Sequence, residues 1–506
     1  MIIELSRIYN KYFLLLSLIL VAILGFYDLG DKNYFMDEIA SILISRNFGS
    51  MVHMLNTSEG NMWLYQIILH FWLVFGESEF AVRTLSIIFT IATIPFVYLI
   101  GKNLFTRKVA QISTLLIASN LFFIFEAQNA RSYSMFLFFT SVSFYFFIKY
   151  LERPKKIYLL FFTLLNILGI YSHLYAVFTV ATQFLLLIFL NKKIQWKTIL
   201  FSSLITFLAS LPLFLSPAMH SNQIYWIPKP GIKQLIGTYL VLADDFIPFA
   251  AVIALLFGAY VFALWKSKKL TQTLKDRGHT ILLSWLLLPI IASFLISIIF
   301  KPMYTSTYFI SCVIPFSYLI AISINNIKRK ALQNIVIALL ILLSAIRLFG
   351  WYTEDNRLTL VIGNHNEDWV GVSEFLSKNE TPYSAVIFFP PYWQEYVNFY
   401  YDKLPGISKI NMLNLQPNNW VGGSRTTPFN KEMLLSMPQN YTTIWYLRGE
   451  YTTLPGDNRE VLINKMLNDN YILKQTFTFH RLKLYQYMKP NPYASKTNIL
   501  DLQISN

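Results

Sequence analysis

Apolar residues in this chain come in long unbroken stretches rather than in the alternating or one-faced patterns of soluble strands and helices. Eleven such stretches occur, at about 12–29, 84–100, 109–125, 132–149, 157–172, 174–190, 198–217, 247–265, 280–299, 308–324 and 331–350. As helices they can cross a bilayer core of about 30 Å, the shortest only just. The segment 63–75 is equally apolar but has the length of an interfacial or re-entrant helix. After 351 the pattern changes: short apolar runs, SAVIFF (384–389) and TTIWYLRG (442–449), alternate with the helical patterns EDWVGVSEFLSKN and NREVLINKMLNDN. The alternation in FTFHRLKLYQYM (477–488) reads as a half-buried strand or hairpin. The expected fold is an α-helical polytopic membrane domain over 1–350, with about eleven transmembrane helices, followed by a small α/β domain over 351–506. No internal repeat or low-complexity tract interrupts it.

Composition agrees: 55% of residues are hydrophobic and 14% charged, against about 25% charged in soluble proteins. A net charge of +15 raises the question of nucleic acid. Its distribution excludes that partner, because the excess sits in short loops between apolar runs, as in membrane proteins with basic cytoplasmic loops. With the N-terminus inside and 63–75 left in the interface, the inner loops hold 20 Lys and Arg and the outer loops 7. Counting 63–75 as a span would reverse every later loop and put most of these cations outside. Arg7 and Lys11 before the first run imitate a signal peptide, but no small-residue cleavage site follows, so a retained first helix is expected. The topology is then a multi-pass protein of the cell (inner or plasma) membrane, N-terminus cytoplasmic and C-terminal domain extracytoplasmic. The outward face carries 28–83, 126–131, 218–246, 300–307 and the chain beyond 351. A lone cysteine, Cys312, excludes a disulfide framework and a Cys-based metal site.

Four outward segments could carry chemistry. Asp37 and Glu38 in YFMDEIASILISRNF are adjacent carboxylates a few residues beyond a span, and such acids are functional candidates. The plainer reading makes Asp37 a helix N-cap. FEAQNARSYSMF (125–136) gathers Glu126, Gln128, Arg131 and Tyr133; Arg131 either snorkels to lipid head groups or binds a phosphate bidentately. His173, in YSHLYAVF, is either an interface residue or a ligand. KPMYTSTYF (301–309) puts Lys301 and hydroxyls such as Tyr304 at the depth of a lipid phosphate. Asp244 and Asp245 are expected to be solvated, and His53 and His70 structural.

Taken in order, these segments resemble the GT-C glycosyltransferases that use polyprenyl-phosphate sugars. The nearest groups are the family 39 protein O-mannosyltransferases, the aminoarabinose transferases of lipid A and their bacterial relatives. The resemblance runs from the acidic pair 37–38 through the interfacial WLYQIILHFWLVFG (63–76) and GESEFAVRTLS (76–86). It continues through the basic GKNLFTRKVA and the turn EAQNARSYS to the Lys-Pro start of KPMYTSTYF and the EDWVGVSEFL opening of the outer domain. The chain departs from its relatives at Gln128-Asn129-Ala130-Arg131, where Gln-Glu-Ala-Arg is common. It departs again at Gly60-Asn61-Met62, where a proline pair is common, and at Thr307-Tyr308, where Arg-Tyr is common.

The resemblance implies inverting transfer of a sugar from a polyprenyl-phosphate donor to a glycan, lipid or protein acceptor at the outer face. Asp37 would act as general base and Glu38 would orient the acceptor or hold a divalent cation. Glu126, Gln128, Arg131, Tyr133, His173, Lys301 and Tyr304 would bind substrate. A cofactor beyond that cation is not implied, and membrane lipid is a further partner. Two other classes compete: a transporter or flippase of lipid-linked sugars, and a non-enzymatic scaffold.

Overall fold

The computed structural model describes residues 2–190, 196–220, 227–354, 367–390, 393–404, 411–412, 430–449 and 458–490. The chain divides into two compact units, one of Met1–Lys32 with Ala40–Asn364, the other of Asn33–Ile39 with His365–Asn506.

The first unit is helical. Among the described residues, seven helices are long and apolar enough to span a bilayer: Glu79–Leu104, Tyr133–Glu152, Trp196–Leu215, Ile247–Lys266, Arg277–Ile299, Ser306–Asn325 and Lys330–Tyr352. Shorter apolar helices, Tyr12–Phe26, Lys156–Ser172 and Ala176–Leu190, occupy three further stretches read from the sequence. The stretch at 109–125 is not one rod but two helices, Arg107–Ala118 and Leu121–Ala127, bent by 58°. Asn120 causes the break: its Oδ1 accepts the Phe123 amide at 3.0 Å and starts a new helix. The interfacial segment is the helix Trp63–Trp72 with a 3-10 turn, Leu73–Phe75. The outer segment 218–246, read as a loop, contains the helix Ile232–Leu242. Of the inner-loop cations, Lys192 and Lys193 lie outside the described residues, as do the side chains of Arg7 and Lys11.

Burial separates core helices from lipid-facing ones. In Ser306–Asn325, 83% of the apolar window is buried, but in Ile247–Lys266 only 11% is, leaving Leu255, Phe262 and Trp265 exposed. Helices this apolar and this uncovered require hydrocarbon around them; the protein is a multi-pass membrane protein. Inside, small residues let helices approach closely. A Cβ at Gly101 would lie 2.6 Å from the Tyr318 ring and 2.9 Å from the Ala110 backbone. Elsewhere Phe144 and Trp285 stack at 3.6 Å.

The second unit contains, among the described residues, a five-stranded sheet in the order β2-β1-β3-β5-β4, with β1 Ser384–Phe389, β2 Asn411–Met412, β3 Thr443–Gly449, β4 Ile472–Phe479 and β5 Leu482–Met488. β1 runs parallel to β2 and β3, and β5 antiparallel to β3 and β4. β1 is buried along its whole length, as a strand covered on both faces must be. Ala385, Ile387, Phe389, Ile444 and Tyr446 pack with residues of the helices Lys431–Asn440 and Asn458–Asn470. Trp369 and Tyr396, from the helices Trp369–Asn379 and Trp393–Tyr401, stack at 4.4 Å. Asn33 and Tyr34 join this unit: Asn33 Nδ2 donates to the Glu367 carbonyl at 2.8 Å and the Tyr34 amide to the Tyr400 hydroxyl at 2.7 Å.

Candidate functional site

The acidic pair opens the helix Met36–Ser45. Glu38 and Ile39 donate their amides to the Phe35 carbonyl, and Glu38 Oε2 in turn accepts the Phe35 amide at 2.8 Å. That is the reciprocal bond of a capping box. The capping role considered for Asp37 thus falls to the buried Glu38, while Asp37 is exposed in the first turn. Farther along this helix, Ser41 Oγ accepts a hydrogen bond from Arg131 Nη1 at 2.9 Å. Its end is clamped to the interfacial helix: Ser45 Oγ donates to Gln66 Oε1 at 2.5 Å and His70 Nδ1 meets the Ser45 carbonyl at 2.7 Å. Arg46 grips Glu77 through two bonds of 2.8 Å.

Within the helical unit, the segment from the first helix to Lys32 is also held by side chains. Gln128 Nε2 lies 3.3, 3.0 and 2.7 Å from the carbonyls of Leu24, Gly25 and Tyr27. Its amide therefore closes the open C-terminal end of the first helix. Arg83 Nη1 donates to the carbonyls of Leu29 and Lys32 at 3.1 and 2.7 Å, and the Lys32 ammonium lies 3.9 Å over the Trp351 ring.

Arg131, Tyr133 and His173 come together around an aromatic cluster. His173 stacks on Phe136 at 5.6 Å and lies 5.3 Å from Tyr133 and 5.1 Å from Tyr308. Tyr308 meets Tyr175 at 4.7 Å; Phe309, 5.6 Å from Tyr175, leads on to Tyr304 at 5.0 Å. Burial, and then the nearby Arg131 guanidinium, push the His173 pKa down to about 3, so the ring is neutral. Its Nδ1 accepts the Tyr175 amide at 3.2 Å, which places the ring proton on Nε2. Asn61 faces that nitrogen. Its Oδ1 takes the amides of Met62 and Leu174, both at 3.0 Å, so its Nδ2 points toward Nε2 at 3.5 Å. Two donors thus stand side by side, and neither can complete the other's hydrogen bond. A negatively charged oxygen between them would satisfy both.

The other expected residues sit as follows. Glu126 is buried and its Oε2 accepts from Asn129 Nδ2 at 3.2 Å. Tyr304 is buried, its hydroxyl 2.7 Å from Thr238 Oγ1, and burial pushes its pKa up to about 12. Lys301 is half-buried, just past the end of Arg277–Ile299.

Comparison with known proteins gives the fold. Residues 61–220 match the family model described as dolichyl-phosphate-mannose-protein mannosyltransferase. ArnT from Cupriavidus metallidurans, in a crystal structure bound to undecaprenyl phosphate, superposes with a TM-score of 0.57 at 10% identity, over 93% of this chain and 97% of that one. The archaeal oligosaccharyltransferase AglB from Archaeoglobus fulgidus, in complex with an inhibitory peptide and a dolichol-phosphate, gives 0.53 at 11% identity, over 94% of this chain and 74% of that one. The fold is GT-C. No curated protein matches the sequence.

The family match takes in Asn61, Glu126, Gln128, Arg131, Tyr133 and His173 of the GT-C chain, and lies between the acidic pair and Lys301. Reading the sequence missed Asn61, Ser41, Tyr175 and Tyr308 as neighbours of these groups. One of them had a signal: Asn61 stands where the sequence departs from the pattern of the family it resembles. Asp244 and Asp245, expected in solvent, are fully buried. The cation that makes this tolerable is Arg347, hidden in the last span, 3.4 Å from Asp245. Among the described residues no group of three or more His, Cys, Asp or Glu is gathered to hold a metal ion.

Proposed function

We propose that this chain is an inverting glycosyltransferase that moves a sugar from a polyprenyl-phosphate donor to a glycan, lipid or protein acceptor at the outer face of the membrane. The observation that carries this reading is the family match over 61–220, which contains the Arg131–His173 cluster. The GT-C fold and the lipid phosphates bound to ArnT and AglB support it. Eleven spans, a cytoplasmic N-terminus and an extracytoplasmic C-terminal domain are part of the proposal, supported by the 20-to-7 distribution of loop cations.

In this mechanism Asp37 takes the proton of the acceptor hydroxyl, whose oxygen attacks the anomeric carbon from the face opposite the phosphate. The bond from that carbon to the phosphate oxygen breaks, inverting the centre, and polyprenyl phosphate leaves with both electrons. Arg131 and Lys301 neutralise its growing charge, and the neutral donors His173 and Asn61 add hydrogen bonds that strengthen as charge develops. Arg131 donates to Ser41 Oγ at 2.9 Å.

The test is release of polyprenyl phosphate from a labelled polyprenyl-phosphate sugar by purified protein. Asp37→Asn is expected to lower transfer by about 10²-fold or more, the usual contribution of a general base. Glu38→Gln keeps an acceptor for the Phe35 amide and should cost much less. Near-normal transfer by a folded Asp37→Asn protein would falsify the base assignment.

A further inference from the structure

A second buried polar cluster, in the helical unit, lies where the broken span turns. Asp244 and Asp245 follow the helix Ile232–Leu242 in succession, with φ of 62° and 50°. Two left-handed non-glycine residues in a row are uncommon and persist only where their surroundings hold them. Here Asp244 is surrounded by donors. Its Oδ1 accepts the Leu121 amide at 2.9 Å and the Asn120 side-chain amide, and its Oδ2 accepts from Ser344 Oγ. Asn120 also reaches the Leu242 carbonyl at 3.3 Å, while Asp245 pairs with Arg347 at 3.4 Å. Asp244, Asp245 and Arg347 are all at most 1% exposed.

The Leu121 amide belongs to the first turn of Leu121–Ala127, one of the donors that a helix leaves unsatisfied. Asp244 therefore caps that helix from a different element and ties it, through Ser344, to Lys330–Tyr352. The capped helix leads directly into Glu126, Gln128 and Arg131. Asn120 breaks the span, but the direction in which the chain then runs depends on where the new helix is fastened.

We propose that Asp244 is a positioning residue for sugar transfer: by anchoring the start of Leu121–Ala127 it sets the placement of Arg131 against the donor phosphate. This rests on the glycosyltransferase reading for its catalytic consequence, not for its structural one. Asp244 touches no substrate; it acts through the helix. A displacement of about 1 Å at a reacting group can cost on the order of 10²-fold in rate, and loss of a helix cap changes local opening by about tenfold.

The experiment pairs hydrogen exchange with transfer kinetics on full-length protein in detergent. Asp244→Ala should raise exchange of the amides from 121 to 131 by about tenfold, with little change in the C-terminal unit. It should also lower kcat by about tenfold or more, with a smaller change in the donor KM. Asp244→Asn, which keeps an oxygen for the Leu121 amide and can donate to Ser344, should bring both readings back to within a few-fold of the wild type. Should Asp244→Ala fail to fold, Ser344→Ala removes one of the bonds and should show the same local pattern more weakly. Unchanged exchange over 121–131 in Asp244→Ala or Ser344→Ala overturns the inference. So does a raised exchange with normal kcat, since the cap would then be structural only. If the wild-type protein transfers no sugar yet Asp244→Ala loosens 121–131, the anchoring stands and the glycosyltransferase reading is what fails.

Discussion

The helical unit holds two polar clusters, one fully buried and one in which Asn61 and Arg131 are half-buried, that treat their charges in opposite ways. Around Asp244 and Asp245, protein donors converge on the carboxylates: a backbone amide, an asparagine, a serine and a guanidinium all point inward. Around His173, Asn61 Nδ2 faces Nε2–H, and Arg131, which donates to Ser41 Oγ, lies nearby. Burial of unmatched polar groups is costly. The carboxylates of the first cluster find their donors within the protein, and in the proposed mechanism the donors beside His173 serve the leaving phosphate.

The largest expected effects come from removing the arginine of each cluster. Arg347→Met strands Asp245 in the interior and should lower stability by about 3–5 kcal/mol, read as thermal unfolding in detergent. Arg131→Met should leave melting nearly unchanged and instead reduce transfer by about 10² to 10³-fold, the effect of losing one preorganised donor to a developing charge. If Arg131→Met lost as much stability as Arg347→Met while transferring sugar normally, the contrast between the clusters would collapse.

A smaller effect sharpens the donor argument. Asn61→Asp turns the donor facing His173 into an acceptor, so His173 gains a partner while the phosphate of the proposed mechanism loses one. Affinity for undecaprenyl phosphate should fall by about tenfold or more with melting temperature unchanged or raised. Unaltered binding would mean that the two donors do not meet a ligand.

In the pH dependence of stability the two clusters should respond with opposite sign. Burial raises the Asp244 pKa from its ordinary 3.8 to about 7 against the pull of Ser344, the Leu121 amide, Arg347 and Asn120. The protonated form is favoured by folding, so its contribution is full below pH 3.8 and is lost as pH rises toward 7. His173, lowered from 6.5 to about 3, contributes fully above pH 6.5 and loses that contribution as pH falls toward 3. Stability measured across this range should lose the neutral limb in Asp244→Asn and the acid limb in His173→Gln. Retention of either limb refutes the corresponding assignment.

The sequence by itself determined most of the apolar helices, the short interfacial helix, and β1, β3 and β5 of the C-terminal unit, because each depends on local periodicity or on the length of apolar chain needed to span a bilayer. It also singled out Arg131, Tyr133 and His173, since charged and polar residues among apolar spans are conspicuous. Tertiary structure decided how those residues are used. That Gln128 closes the end of the first helix, that Glu38 rather than Asp37 caps the acid helix, and that Asp244 and Asp245 are buried all turn on particular partners. Arg347 pairs with Asp245 across 102 residues of sequence, and Asp244 reaches Leu121 across 123. A hydrogen bond is made by atoms within about 3 Å of each other, and no periodicity along the chain records which distant segment supplies the second atom.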